Sequence, residues 1–181
     1  MGKNDPLMAL LKAKGFKFKR NLGQNFLFNP WILNEIVDFA ELLPNDIIVE
    51  VGAGAGTLTE VLAQRQAQVI SIELDRTLIP ILQERLKDYS NVSLVQGDAL
   101  SLDIDQLVKD QGFNCPYKIV SNLPYQISTP FLTKVFRQLQ GVSDGVILVQ
   151  KEVAQKVVAA PGSEGYGMLS LAAKWFGDCS I

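Results

Sequence analysis

Glu50-Val51-Gly52-Ala53-Gly54-Ala55-Gly56 is the stretch that decides the fold. The run before it, Ile47–Val51, is short, apolar and β-branched; the run after it, Thr57–Arg65, has helical spacing. A strand that turns through glycines into a helix opens a βαβ unit, because glycine permits the tight turn and lets a ligand approach the backbone. Outward from that turn the alternation continues. Gln68–Glu73 reads as a strand and Arg76–Lys87 as a helix; Val92–Gln96 reads as a strand and Ile104–Asp110 as a helix. Tyr117–Ser121 and Pro130–Leu139 repeat the pair, then Gly145–Gln150 and Glu152–Val158, with Leu169–Trp175 as a last helix. Upstream, residues 30–43 have helical spacing, with Asn29 as N-cap and Pro30 at the first position. Short apolar strands alternating with amphipathic helices predict an α/β fold: a mostly parallel sheet with helices on both faces. Right-handed crossovers then put the ligand at the C-terminal strand ends. Cys179-Ser180-Ile181 reads as the start of a further strand, so the last strands of the sheet read as missing.

At 181 residues the chain suits one domain, and 48% apolar with 20% charged residues makes it globular. No run approaches the roughly 18 apolar residues of a membrane span. The N-terminus lacks the pattern of a signal peptide, and two unclustered cysteines, Cys115 and Cys179, suit a reducing cytoplasm. There is no His and no CxxC, so no metal is expected and Ser-His-Asp chemistry is excluded. The net charge of −2 hides an asymmetry. Residues 1–30 carry six basic groups against Asp5, or +5, while residues 31–181 carry eleven basic and eighteen acidic groups, or −7. Residues 1–29 thus read as a basic arm and residues 30–181 as the domain. Such an arm is either a phosphate-contacting tail or a solvated terminus. Phe16 and Phe18, interleaved with Lys17, Lys19 and Arg20, favour nucleic acid, since bases stack on aromatics.

The glycine spacing is GxGxG. A dinucleotide fingerprint would have its third glycine where Thr57 stands, and an acidic residue, Glu50, precedes the first glycine by two. Both features favour S-adenosylmethionine over NAD. Glu73 ends the second strand, where a carboxylate can accept from ribose hydroxyls. Asp98 follows the third strand, placed to accept from an adenine amino group, and Asn122 follows the fourth. In Asn122-Leu123-Pro124-Tyr125 the Asn side chain and the Leu main chain offer carbonyl acceptors to an exocyclic amine. Pro124 fixes its own φ and biases Leu123 away from helix, and Tyr125 offers a flat face for a base. Any one of these acids could be a helix cap; three polar acceptors and the glycine turn at matching strand ends argue for a site.

On these motifs the chain resembles the class I methyltransferases that use S-adenosylmethionine. More closely, it resembles the small-subunit rRNA adenine dimethyltransferases of the KsgA type over about residues 19–178. The specific elements are Lys19–Leu27, Glu50–Gly56, Ser71-Ile72-Glu73, Gly97-Asp98-Ala99, Asn122–Tyr125 and Tyr166–Ser170. The resemblance implies that Asn25 and Leu27 close over the methionine end of the cofactor and that Gly52 and Gly54 line its carboxypropyl side. It implies Glu73 for the ribose, Asp98 for the adenine, and Asn122 between the methyl and the target base. It also implies a cytoplasmic, monomeric enzyme that dimethylates the N6 amines of two adjacent adenosines in a 16S rRNA hairpin, with the pre-30S subunit as partner. Lys17, Lys19 and Arg20 are the candidate RNA contacts. Gln126 stands where many members carry Asn, and the family's later strands and C-terminal helical domain have no counterpart here. Two other classes remain open: a non-catalytic ribosome-assembly module and a 23S rRNA methyltransferase of the erythromycin-resistance type; a DNA adenine methyltransferase is disfavoured by Leu123 and by the Leu22–Leu27 element. An NAD-dependent oxidoreductase is disfavoured by the glycine spacing.

Overall fold

Every strand in the computed structural model runs the same way. The structure describes residues 6–16, 26–114 and 116–181. Strands β1 (Ile47–Val51), β2 (Gln68–Glu73), β3 (Val92–Gln96), β4 (Tyr117–Asn122) and β5 (Val142–Leu148) form one sheet in the order β3-β2-β1-β4-β5, all pairs parallel. The helices are α1 (Pro6–Ala13), α2 (Pro30–Phe39), α3 (Thr57–Gln64), α4 (Ile79–Arg85), α5 (Ile104–Asp110), α6 (Ser128–Gln138), α7 (Lys151–Val157) and α8 (Met168–Phe176).

Strand periodicity sorts the core into layers. Val49, Val51, Ile70, Ile72 and Ile119 pack with Ile104 and Val108 of α5 and with Phe131, Leu132 and Val135 of α6. Their neighbours Ile48, Val69 and Val120 face the other way, onto Leu33, Ile36 and Val37 of α2 and Leu58 and Leu62 of α3. Both faces are thus covered, which is why the strands carry near-continuous apolar runs. A third cluster joins Leu7 and Leu11 of α1 to Leu78, Ile81, Leu82 and Leu86 around α4. Leu7 and Leu11 are four apart on one helical face, and burying each stabilises the contact by about 1.5–3 kcal/mol. Lys14 adds an ion pair to Glu84 at 2.7 Å. Part of the segment read as an arm is therefore packed on the body.

The backbone ladder between the two central strands is short. β1 and β4 are in register only at Ile48 with Lys118 and at Val49 with Ile119. Beyond these pairs the hydroxyl of Ser121 accepts from Val51 N at 2.9 Å, standing in for a ladder bond. This is the topological switch point, where ligands bind in open α/β sheets.

β1, β2, β3 and α5 have the bounds expected from the sequence. Helix α2 ends at Phe39, short of Leu43: Leu43 precedes Pro44 and is disfavoured in helix, and its N–H is taken by Asp46 Oδ2 at 2.9 Å. Helix α4 starts at Ile79 because Asp75 Oδ1 accepts from Thr77 N and Oγ1, making residues 75–78 a separate turn. Strand β5 spans Val142–Leu148 rather than the expected Gly145–Gln150, so it takes in the polar Ser143-Asp144 pair; a Cβ on Gly145 would stand 2.7 Å from the Ile119 carbonyl oxygen. Residues 177–181 have no regular structure, so the strand start expected at Cys179–Ile181 is not one. Among the described residues no helix is long and apolar enough to cross a membrane.

Candidate active site

At the C-terminal ends of the strands lies a cavity of about 270 Å³. Gly52, Gly54, Glu73, Asp98 and Asn122 all line it, together with Leu27, Leu123, Pro124 and Tyr125. Asn25, Lys17, Lys19 and Arg20 lie outside the described residues. Among the described residues the lining contains three carboxylates, Glu50, Glu73 and Asp98, and no Lys or Arg.

The glycine turn is tied to β2. Gly52 N and Ala53 N donate to the Ile72 carbonyl at 2.8 and 3.3 Å, and Gly54 N donates to Glu73 Oε2 at 2.8 Å. In a phosphate-binding turn such amides point at the anion; here they point into the protein. Gly52 has φ +81° and Gly54 has φ +58°, conformations that glycine adopts without strain. A Cβ on Gly52 would stand 2.9 Å from Pro124 Cδ, and one on Gly54 would stand 3.0 Å from the Phe26 ring. The two turns of the site thus touch through a gap only hydrogen fills. Leu27 is held over the cavity by its carbonyl, which accepts from Thr57 Oγ1 at 2.8 Å.

Two buried carboxylates fix this wall. Glu50 is 1% exposed, and its Oε2 accepts from Thr59 Oγ1 and from Ser71 Oγ, both at 2.6 Å. Burial pushes its carboxyl up to about 7; the two hydroxyls oppose that rise, and the charge of Glu73 adds to it. Glu73 accepts from Gly54 N and, through Oε1, from Asp75 N at 2.7 Å. Burial raises its pKa too, against those backbone bonds. An ionised carboxylate has about four acceptor sites, so each Glu73 oxygen keeps capacity for a ligand hydroxyl. Asp98 folds its own loop: Oδ1 accepts from Leu100 N at 2.9 Å and Oδ2 from Ser101 Oγ at 3.2 Å.

The Asn122–Tyr125 turn closes the other side. Leu123 is 1% exposed, and its N–H donates to the Leu148 carbonyl at 3.1 Å. The Pro124 carbonyl accepts from Ile127 N and from Ser128 Oγ, both at 3.1 Å, which roots helix α6 in the turn. Tyr125 is 47% exposed. Phe26, Thr57, Thr59, Ser71 and Ser121 carry no evident role in the sequence, where Glu50 is only a spacing signal. A polar residue inside an apolar strand, such as Ser71 or Ser121, was the available clue, because a buried hydroxyl needs a partner.

The strand order, the glycine turn after β1 and the polar groups at the ends of β2, β3 and β4 define the class: a Rossmann-like fold of the class I, S-adenosylmethionine-dependent methyltransferases. The family described as ribosomal RNA adenine dimethylase matches residues 15–181, and the chain belongs to that family. It is 45% identical over 172 residues to a ribosomal RNA small subunit methyltransferase A of Clostridioides difficile, covering 95% of this chain and 60% of the relative. The protein of the same name in Alkaliphilus metalliredigens is 42% identical over 168 residues, covering 93% of this chain and 58% of the relative. The chain therefore spans about 60% of the length of these curated relatives. Among solved structures it is similar to a dimethyladenosine transferase from Plasmodium falciparum, with a TM-score of 0.70, 30% identity, and coverage of 83% of this chain and 52% of that one. The 23S rRNA methyltransferase ErmE matches with a TM-score of 0.65 and 29% identity over 76% of this chain and 53% of its own.

Proposed function

We propose that this chain forms the catalytic domain of an S-adenosylmethionine-dependent enzyme that dimethylates the N6 amines of two adjacent adenosines in a small-subunit rRNA hairpin during ribosome biogenesis. The observation that carries the cofactor is the lining: three carboxylates, no basic side chain among the described residues, and glycine amides turned into the protein. That surface suits a sulfonium and an ammonium and opposes a pyrophosphate. Gly52 and Gly54 let the turn pack against Pro124 and the Phe26 ring while still lining the cavity. Gly52, Gly54 and Leu27 would hold the methionine end, Glu73 the ribose and Asp98 the adenine, with Asn25 from the preceding segment. Bound there, S-adenosylmethionine supplies an electrophilic methyl group.

The protein's part is positioning. An adenine N6 lone pair is delocalised into the ring and is a poor nucleophile. Hydrogen bonds donated by that amine to the Asn122 side-chain carbonyl and the Leu123 carbonyl favour a pyramidal nitrogen with a localised lone pair. They also aim it, and orientation can contribute several kcal/mol. The methylated ammonium is acidic enough to lose its proton to water, which agrees with a chain that contains no His. Tyr125, half exposed beside the turn, offers a stacking face for a base taken out of its helix. Lys17, Lys19 and Arg20 are the proposed phosphate contacts. The names of the relatives at 42 and 45% identity support the small-subunit substrate over the 23S alternative at 29%.

Calorimetric titration with S-adenosylmethionine and, separately, NAD tests the cofactor. Binding of the first alone is expected; binding of NAD, or of neither by a folded chain, overturns the assignment. Methyl incorporation into undermethylated small-subunit particles, rather than 23S rRNA, tests the substrate.

A further inference from the structure

Helix α6 carries one lysine that the reaction does not use. Lys134 is 8% exposed, although a lysine on a surface helix can ordinarily reach water. Its ammonium donates to the carbonyls of Ala99 at 2.9 Å, Leu100 at 3.1 Å and Leu102. An ammonium has three protons, so all three are used. All three acceptors belong to the loop between β3 and α5. Asp98 binds the same loop from the amide side: its Oδ1 accepts from Leu100 N, and its carbonyl accepts from Ser101 N at 2.9 Å and Leu102 N at 3.0 Å. Lysine thus holds the carbonyls and Asp98 the amides of one short segment. The other end of α6 is rooted in the Asn122–Tyr125 turn through the Pro124 carbonyl.

We infer that Lys134 is a positioning residue: it clamps the loop that presents Asp98 and sets the spacing between the adenine-binding wall and the wall that bears the reacting amine. This rests on the proposed role of Asp98 as acceptor from the 6-amino group of the cofactor's adenine. The three-carbonyl clamp makes Asp98 a fixed acceptor, and a fixed acceptor rejects a ligand that lacks the donor more strongly than a mobile one. Burial lowers the pKa of the ammonium, and the charges of Asp103, Asp98 and Asp105 oppose that fall.

The test is discrimination, not affinity alone. S-adenosylhomocysteine and its counterpart with hypoxanthine, whose 6-oxo group replaces the 6-amino group, are titrated into the wild-type chain, Lys134→Met and Lys134→Gln. The wild type should prefer the adenine form at least about tenfold. Lys134→Met should bring the ratio below about threefold, mostly by weakening the adenine form, and Lys134→Gln, with two donors left, should fall between. If Lys134→Met does not hold its fold by circular dichroism, Lys134→Gln decides. A lysine that only stabilises the fold would weaken both ligands equally and leave the ratio unchanged, and that result overturns the proposal. A wild-type chain with no preference overturns the Asp98 assignment, and the clamp's role falls with it; a preference that survives in both variants overturns Lys134 alone.

Discussion

The two walls of the cavity are built differently. The wall from β1 and β2 is cross-tied: Glu50 joins Thr59 to Ser71, Glu73 joins Gly54 to Asp75, and Ile72 takes two turn amides. Both carboxylates are buried. The wall from β4 is anchored by Leu123 and Pro124 but leaves Tyr125 47% exposed at its rim. The first wall is held by bonds within the protein, as a site for a small molecule should be. The second presents an aromatic face to solvent, as a site for a macromolecule should. Mutations that separate cofactor binding from transfer test this contrast.

The largest effect is expected at Asn122. Asn122→Ala removes the side-chain acceptor and should lower methyl transfer by on the order of 1,000-fold, the scale of one lost transition-state contact. Calorimetric affinity for the cofactor should stay within a few-fold, because the tied wall is untouched. A fully active variant would sink the assignment. Gly52→Ala attacks both walls together. The new Cβ meets Pro124 Cδ at 2.9 Å at a φ of +81°, so left-handed strain and overpacking combine to about 2–4 kcal/mol. Cofactor affinity and thermal midpoint should both drop; a variant that binds normally would mean the turn and Pro124 move independently.

Glu50 sharpens the comparison through pH. Its carboxyl is raised by burial from an ordinary 4.5 to about 7 in the folded protein. The folded state therefore holds the proton more tightly, so the stability this group contributes is complete below pH 4.5 and is lost as pH rises through 7. On the order of 3 kcal/mol is involved. Glu50→Gln can still accept from Thr59 and Ser71 and has no charge to bury. Its unliganded chain should be more stable than wild type at pH 8, with the gap closing toward pH 4.5. Thermal melts across that range check it; a gap independent of pH would place the ionisation elsewhere.

The sheet was legible in the sequence because buried parallel strands leave an apolar, β-branched record, as in Ile47–Val51 and Gln68–Glu73. The start of β5 is not legible, because Ser143 and Asp144 are polar and only pairing with β4 shows that they belong to the strand. Helix α1 was hidden by the lysines around it, although Leu7 and Leu11 already had the spacing of a buried face. Gly52, Gly54, Glu73, Asp98 and Asn122 were legible as a set because strand-end positions converge in a parallel sheet. The ties behind them were not. The partners of Glu50 lie 9 and 21 residues away, and those of Lys134 lie 32 to 35 away, so only the folded chain brings them together.

The smallest effect is the one that most directly probes the open wall. Tyr125 is half exposed, so truncating it removes little core packing and the fold should keep its thermal midpoint. Tyr125→Ala should weaken RNA-dependent turnover by roughly 1–3 kcal/mol, the scale of one lost base stack, while leaving cofactor affinity unchanged. Tyr125→Phe keeps the ring face and should restore most of the turnover, since stacking needs no hydroxyl. Turnover that is unchanged in the alanine variant, or that the phenylalanine variant does not restore, would mean that the target base is held on another surface.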